Sequence, residues 1–204
     1  MKKVLFATTN KNKIVRLKNF LRDTDLEIIS LSDLNYKIDE PEEIGKNPIE
    51  IAQNKASYYW ENLVDKVPVI AQDDTIEFLG VPELKSPRLS IKSPVIKMYG
   101  EFNDANAILF YTNLARKYGG RVSMRFNYGF GFCVDNKITG EGAWLDCVLV
   151  EDVSKVITPG YFLTAIIKVK LNEKENFYSE MNNDDQFEID SDLARAVKKL
   201  LLRK

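Results

Sequence analysis

From Val122 onward the apolar residues take every second position: Val122, Met124, Phe126, Tyr128, Phe130, Phe132 and Val134. A period of two lines one face of a strand. A partner strand is expected over residues 138–150, with Trp144 and Val148 on one face, and another over 161–171. The first half alternates element types. Val4-Leu5-Phe6-Ala7 reads as a short buried strand. Ile14, Leu17, Phe20 and Leu21 then recur at helical spacing behind a cap at Asn10 or Asn12. Residues 26–31 read as a second strand and 35–48 as an acidic loop. Asn47-Pro48-x-Glu50 is a helix start: cap residue, proline at the first position, acid three residues after the cap. That helix is expected to reach Leu63, with Ile49, Ala52, Ala56, Tyr59 and Leu63 inward and Lys55 off the stripe. Residues 67–71 read as a strand ending at Asp73-Asp74. Residues 80–100 read as a long loop, 104–118 as a helix stopped by Gly119, and the last helix opens at Asp190 or Ser191. Alternating β and α elements followed by a long antiparallel hairpin predict an α/β fold with a mixed sheet and flanking helices. One α/β domain is expected across residues 1–204.

Composition narrows the chemistry. The chain has 204 residues, is 45% hydrophobic, and carries a net charge of −1. That balance does not favour stable nucleic-acid or membrane binding through bulk electrostatics. There is no histidine. Ser-His and Cys-His catalysis are therefore excluded, and acid–base work falls to Asp, Glu, Lys, Tyr or Cys. A hairpin turning near Asp135-Asn136 does not set Cys133 opposite Cys147, so no disulfide is expected and a reducing cytoplasm fits. Neither a secretory leader nor a membrane span is expected from the apolar runs.

Four groups could carry chemistry. The turn at Thr8, Asn10 and Lys13 aims helix N–H groups, neutral donors and one ammonium at an anion. The plainer alternative is a cap with a solvated lysine. The doublet Asp73-Asp74 places like charges side by side, which is costly unless a cation or donors compensate it. A solvated turn is its plainer alternative. Glu42 lies in the acidic loop, and magnesium takes one or two carboxylates together with phosphate oxygens and water. Lys55 and the Arg88 of Ser86-Pro87-Arg88 are candidate phosphate clamps.

In this order the groups resemble the inosine/xanthosine triphosphate pyrophosphatases of the Ham type. The family's Ser/Thr-x-Asn-x-x-Lys motif reads here Thr8-Thr9-Asn10-Lys11-Asn12-Lys13. Pro41-Glu42-Glu43-Ile44-Gly45 with Glu50-Ile51-Ala52-Gln53-Asn54-Lys55-Ala56 resembles its acidic loop and following helix. Val69-Ile70-Ala71-Gln72-Asp73-Asp74-Thr75 and Ser86-Pro87-Arg88 resemble its catalytic strand end and a later turn. The resemblance implies an elongated sheet with two lobes around a cleft. It implies that Thr8, Asn10, Lys13, Lys55 and Arg88 hold a triphosphate. Glu42 and Asp73 would bind Mg2+, and Asp74 would position or deprotonate water. The expected reaction hydrolyses a nucleoside triphosphate to monophosphate and pyrophosphate, in a cytoplasmic homodimer.

Departures concern the charge beside the phosphates and the contacts to the base. Arg16 stands where the family usually has Glu. The family's aromatic-Asp-Pro segment corresponds to residues 163–170, which contain no acid or proline, although Tyr178-Ser179-Glu180-Met181 matches a later family turn. Its Ser-His-Arg becomes Ser191-Asp192-Leu193. Lys168, Lys170, Gln186 and Ser191 are the polar residues left for that task. The competing reading is a catalytically weak relative that binds a nucleotide or a partner.

Overall fold

The computed structural model describes residues 2–81 and 91–202. The strands are β1 (Lys2–Phe6), β2 (Leu26–Ser30), β3 (Val69–Phe78), β4 (Arg121–Val134), β5 (Lys137–Val150), β6 (Ile167–Leu171) and β7 (Lys174–Phe177). They form one mixed sheet in the order β2-β1-β3-β4-β5-β6-β7. The helices are α1 (Lys11–Phe20), α2 (Pro48–Asn62), α3 (Ser93–Tyr99), α4 (Asp104–Lys117), α5 (Asn183–Ile189) and α6 (Ser191–Leu201). The expected mixed α/β fold is therefore found.

Two compact units can be distinguished. The first comprises Met1–Asp74, Tyr128–Ala143 and Ser191–Lys204. Within it, β1 pairs in parallel with both β2 and β3. The chain leaves β1 through α1 to β2, then crosses back through α2 to β3. Right-handed crossovers in opposite directions put α1 and α2 on opposite faces of the sheet. On the α2 face, Leu5, Val69, Ala71 and Cys133 pack with Ala56, Tyr59 and Leu63. α6 lies beside α1, tied by Lys198 to Asp23 at 2.8 Å, and Lys199 reaches Glu141 of β5.

The second unit comprises Thr75–Asn127 and Trp144–Asp190. Tyr111 is fully buried in it, stacks on Phe162, and donates its hydroxyl to the Ile91 carbonyl. Ser154 is buried there, bonded to Glu180 and Ser179.

Strand β4 carries the period-2 signal as far as Phe130: Val122, Met124, Phe126, Tyr128 and Phe130 are buried, whereas Phe132 and Val134 are half-buried and Cys133 is buried between them. Its other face is the less obvious one. A Cβ at Gly129 would lie 2.1 Å from the Pro48 carbonyl carbon, and one at Gly131 2.3 Å from that of Ala52. On β5, a Cβ at Gly140 would lie 2.6 Å from the Ile49 side chain and 2.9 Å from that of Gln53, and one at Gly142 2.9 Å from the Ile49 side chain. These glycines let α2 sit directly on the sheet. Gly131→Ala must push the α2 backbone away, and about 1–3 kcal/mol of stability should be lost. Urea unfolding measures this, and an unchanged midpoint would show that α2 is not seated there.

Several elements differ from the sequence expectation. β3 does not end at the aspartate doublet but continues to Phe78, because Thr75, Ile76 and Phe78 suit a strand. The stretch expected as loop contains α3, started near Pro94 and stopped at Gly100 with φ of 80°. In place of the strand expected from 161, Phe162–Ala165 is a short 3-10 turn before β6, and β7 and α5 follow. Asn182 caps α5 by accepting from the Asp184 and Asp185 amides. Cys133 and Cys147 are buried free thiols.

Candidate active site

The site begins where β1 ends. The β1–β3 ladder stops with the Ala7 amide donating to the Ile70 carbonyl at 2.8 Å, and β3 runs on past the end of β1 to Phe78. This is the place where the crossover direction reverses between β1 and β3. Ligands of open α/β sheets sit at such points, beyond the strand ends. Thr8 and Asn10 form the turn there. The Thr8 hydroxyl accepts from the Asn10 amide, and Asn10 Oδ1 accepts from the amides of Asn12 and Lys13. Asn10 is thus the cap of α1. The first turn of α1 contains no acid of its own, so its positive end is open to an anion from outside the helix.

Successive side chains of β3 point to opposite faces, and this separates the doublet. Asp74 faces α1. Its Oδ2 pairs with Lys13 Nζ at 2.8 Å, and its Oδ1 accepts from the Gln72 amide. Arg16, one turn after Lys13, holds its guanidinium 5.1 Å above the Tyr128 ring. Burial alone would push the Asp74 carboxyl up. The charges of Lys13 and Arg16 and the bonds from Lys13 and Gln72 outweigh it and hold the group below the ordinary carboxylate value.

Asp73 faces α2. Its Oδ1 lies 3.0 Å from Lys55 Nζ, which also binds Glu43 Oε1 at 2.6 Å. Here burial wins. It raises Asp73 above the ordinary value, aided by Asp74 and Glu43 and only partly opposed by Lys55. Burial would lower the Lys55 ammonium, but Glu43 and Asp73 reverse that and raise it. A doublet whose members are pushed in opposite directions is a pattern of functional carboxylates.

The acidic loop is held by α2. The Asn54 amide donates to the Ile44 carbonyl at 2.7 Å, and the Lys46 amide donates to Glu50 Oε2 at 2.9 Å. These bonds frame Glu43, which joins Lys55 and Asp73. Glu42, the residue singled out from sequence, is exposed, and its carbonyl accepts the Ile44 amide. Glu43, Gln72 and Tyr128 were not singled out. A loop without periodicity offers no signal to choose between adjacent glutamates. Lys55 did carry a signal, since it lies off the apolar stripe of α2 and within the stretch Glu50–Ala56 that resembles the family helix.

Arg88, with Ser86 and Pro87, lies outside the described residues. In the second unit, Lys168 sits over the Phe177 ring at 4.8 Å, and Lys170 is paired with Glu173. Gln186 donates to the carbonyls of Tyr178 and Met181. Ser191 opens α6. Among the described residues no group of three or more acidic or cysteine side chains is arranged to hold a metal. Two carboxylates do converge, on Lys55. Magnesium needs few protein carboxylates when phosphate oxygens complete its shell, so this donor set fits an ion that arrives on a phosphate chain.

The Ham1 family profile matches residues 4–145. The chain belongs to the Ham1 family. Among curated relatives, the dITP/XTP pyrophosphatase of Mannheimia succiniciproducens is 37% identical over 89 residues, covering 42% of this chain and 43% of that protein. The dITP/XTP pyrophosphatase of Oceanobacillus iheyensis is 41% identical over 91 residues, covering 43% and 45%. The chain thus matches less than half the length of these relatives. The fold likeness is wider. A HAM1 protein from Coxiella burnetii superposes with a TM-score of 0.74 at 16% identity over 99% of both chains. The Staphylococcus aureus Ham1 protein gives 0.67 at 19% identity, over 98% of this chain and 96% of that one. Within this Ham1 chain no helix among the described residues is long and apolar enough to cross a membrane.

Proposed function

We propose that this Ham1 protein is a metal-dependent nucleoside triphosphate pyrophosphatase. One observation carries the reading. At the β1–β3 switch point two aspartates are each held by a lysine from a different helix, Lys13 with Asp74 and Lys55 with Asp73. Ion-paired lysines, one of them in the first turn of α1, are poised to exchange a carboxylate for a phosphate oxygen.

In this reading Lys13 and Lys55 bind phosphate oxygens, with Thr8 and Asn10 shaping the turn beneath and Arg88 as a further clamp. Asp73 and Glu43 hold a divalent ion, proposed as Mg2+, with Glu42 one residue away. When bound, the ion neutralises charge that develops on the phosphate oxygens. Asp74 orients the attacking water and takes its proton. The water oxygen bonds to the α-phosphorus, the bond to the α–β bridging oxygen breaks, and monophosphate and pyrophosphate leave. A homodimer in the cytoplasm completes the proposal and rests on the family resemblance. So does an unusual purine as the base, supported by the dITP/XTP pyrophosphatases among the relatives.

The carboxylate assignment has its own test. Glu43→Gln should lower metal-dependent turnover by about 100-fold, and Glu42→Gln by about tenfold at most. The reverse order would return the role to Glu42. Base preference is measured by turnover with Mg2+ across dITP, XTP, ITP and the common triphosphates. Faster turnover of the unusual purines supports the purine assignment; equal rates across the panel would refute it.

A further inference from the structure

The Lys55 ammonium is a single positive charge between two carboxylates, 2.6 Å from Glu43 and 3.0 Å from Asp73. Its side chain is 13% exposed and that of Asp73 11%. Two acids this close repel unless a cation lies between them. The ammonium supplies that cation from the chain itself. It also fills the space a divalent ion would bridge. Among the described residues only these two carboxylates converge on Lys55, so an ion without phosphate oxygens would find few ligands there and a competing charge.

We propose that Lys55 is a placeholder cation, which occupies the space between Glu43 and Asp73 until a triphosphate draws it onto a phosphate oxygen, so that the divalent ion is admitted together with the nucleotide and not before. The proposal rests on the pyrophosphatase reading and specifies the order in which its site loads. The parts needed are present. Lysine has a flexible four-carbon stem and a mobile donor head. The loop bearing Glu43 is fastened to α2 through Asn54 and Glu50, independently of Lys55. The backbone that carries Glu43 is therefore held in place without the ammonium. Linkage is reciprocal: a triphosphate that displaces Lys55 tightens the ion, and the ion tightens the triphosphate by the same factor.

The test is Mn2+ binding, read from the electron paramagnetic resonance of the free ion. It compares the native chain, Lys55→Met and the double variant Lys55→Met/Glu43→Gln, all without nucleotide. Lys55→Met should bind Mn2+ at least about tenfold more tightly than the native chain, since the competing charge is gone. The double variant should lose that gain. The native chain should recover it when a purine triphosphate with a methylene α–β bridge is added. Lys55→Gln replaces Lys55→Met if circular dichroism shows the latter unfolded. Native protein that binds Mn2+ as tightly as the variant, with no nucleotide present, would overturn the proposal. The two readings fail separately. A gain of Mn2+ affinity without pyrophosphate release supports the placeholder and refutes the hydrolase. Pyrophosphate release with equal Mn2+ affinities refutes the placeholder alone.

Discussion

Asp74→Asn is expected to lower pyrophosphate release by about a thousandfold or more while the chain still folds. The amide keeps the shape but cannot take a proton from water, and a positioned base is worth about 10²–10⁴ in rate. The variant also leaves Lys13 and Arg16 without the carboxylate that balances them. Its melting temperature should therefore fall. The sign follows from the depressed acidity of Asp74. A carboxyl held below its unfolded value adds stability above that value, and the stability is lost as pH falls through the folded one. The difference between native and variant should be full at neutral pH and vanish in strong acid. Steady-state kinetics and thermal melts at several pH values check both halves. Near-native turnover would remove Asp74 from the mechanism.

Asp73→Asn should be equally inactive yet more stable than the native chain near neutral pH. Burial holds the Asp73 carboxyl above its ordinary value, so the folded chain binds that proton more tightly than the unfolded one. Such a group stabilises below the unfolded value, and the contribution is lost as pH rises through the folded value. Above its folded value, ionised Asp73 is thus a cost that folding bears. The variant removes it, while Glu43 still pairs with Lys55. The stability gain should shrink as pH falls through the folded value of Asp73. Functional sites often carry such a cost. A less stable Asp73→Asn at neutral pH would show that the Lys55–Asp73 pair outweighs the burial.

The two aspartates are adjacent in sequence, and this limited what the sequence could reveal. The alternation of β3 separates them, but which helix each one meets depends on the order of β1, β2 and β3 in the sheet and on the ion pairs to Lys13 and Lys55. Strand β3 was read too short because a pair of acids is unusual inside a strand. The lysines of α1 and α2 make it tolerable, and both come from elsewhere in the chain. The glycines at 129, 131, 140 and 142 were equally silent. In sequence they interrupt a strand, whereas in the fold they are the seat of α2. The cap at Asn47 and the apolar face of β4 were legible because each depends on neighbours within a few residues. Arg16 was legible as a departure, but its place above Tyr128 depends on β4, more than a hundred residues away.

Product identification tests the central claim most directly. A purine nucleoside triphosphate is incubated with the protein and Mg2+, and the phosphorus-containing products are resolved by phosphorus NMR. The account predicts one nucleoside monophosphate and one pyrophosphate per triphosphate, with no reaction when the metal is chelated and none with Asp74→Asn. Orthophosphate and a nucleoside diphosphate, or a folded protein that binds the triphosphate and leaves it whole, would contradict it.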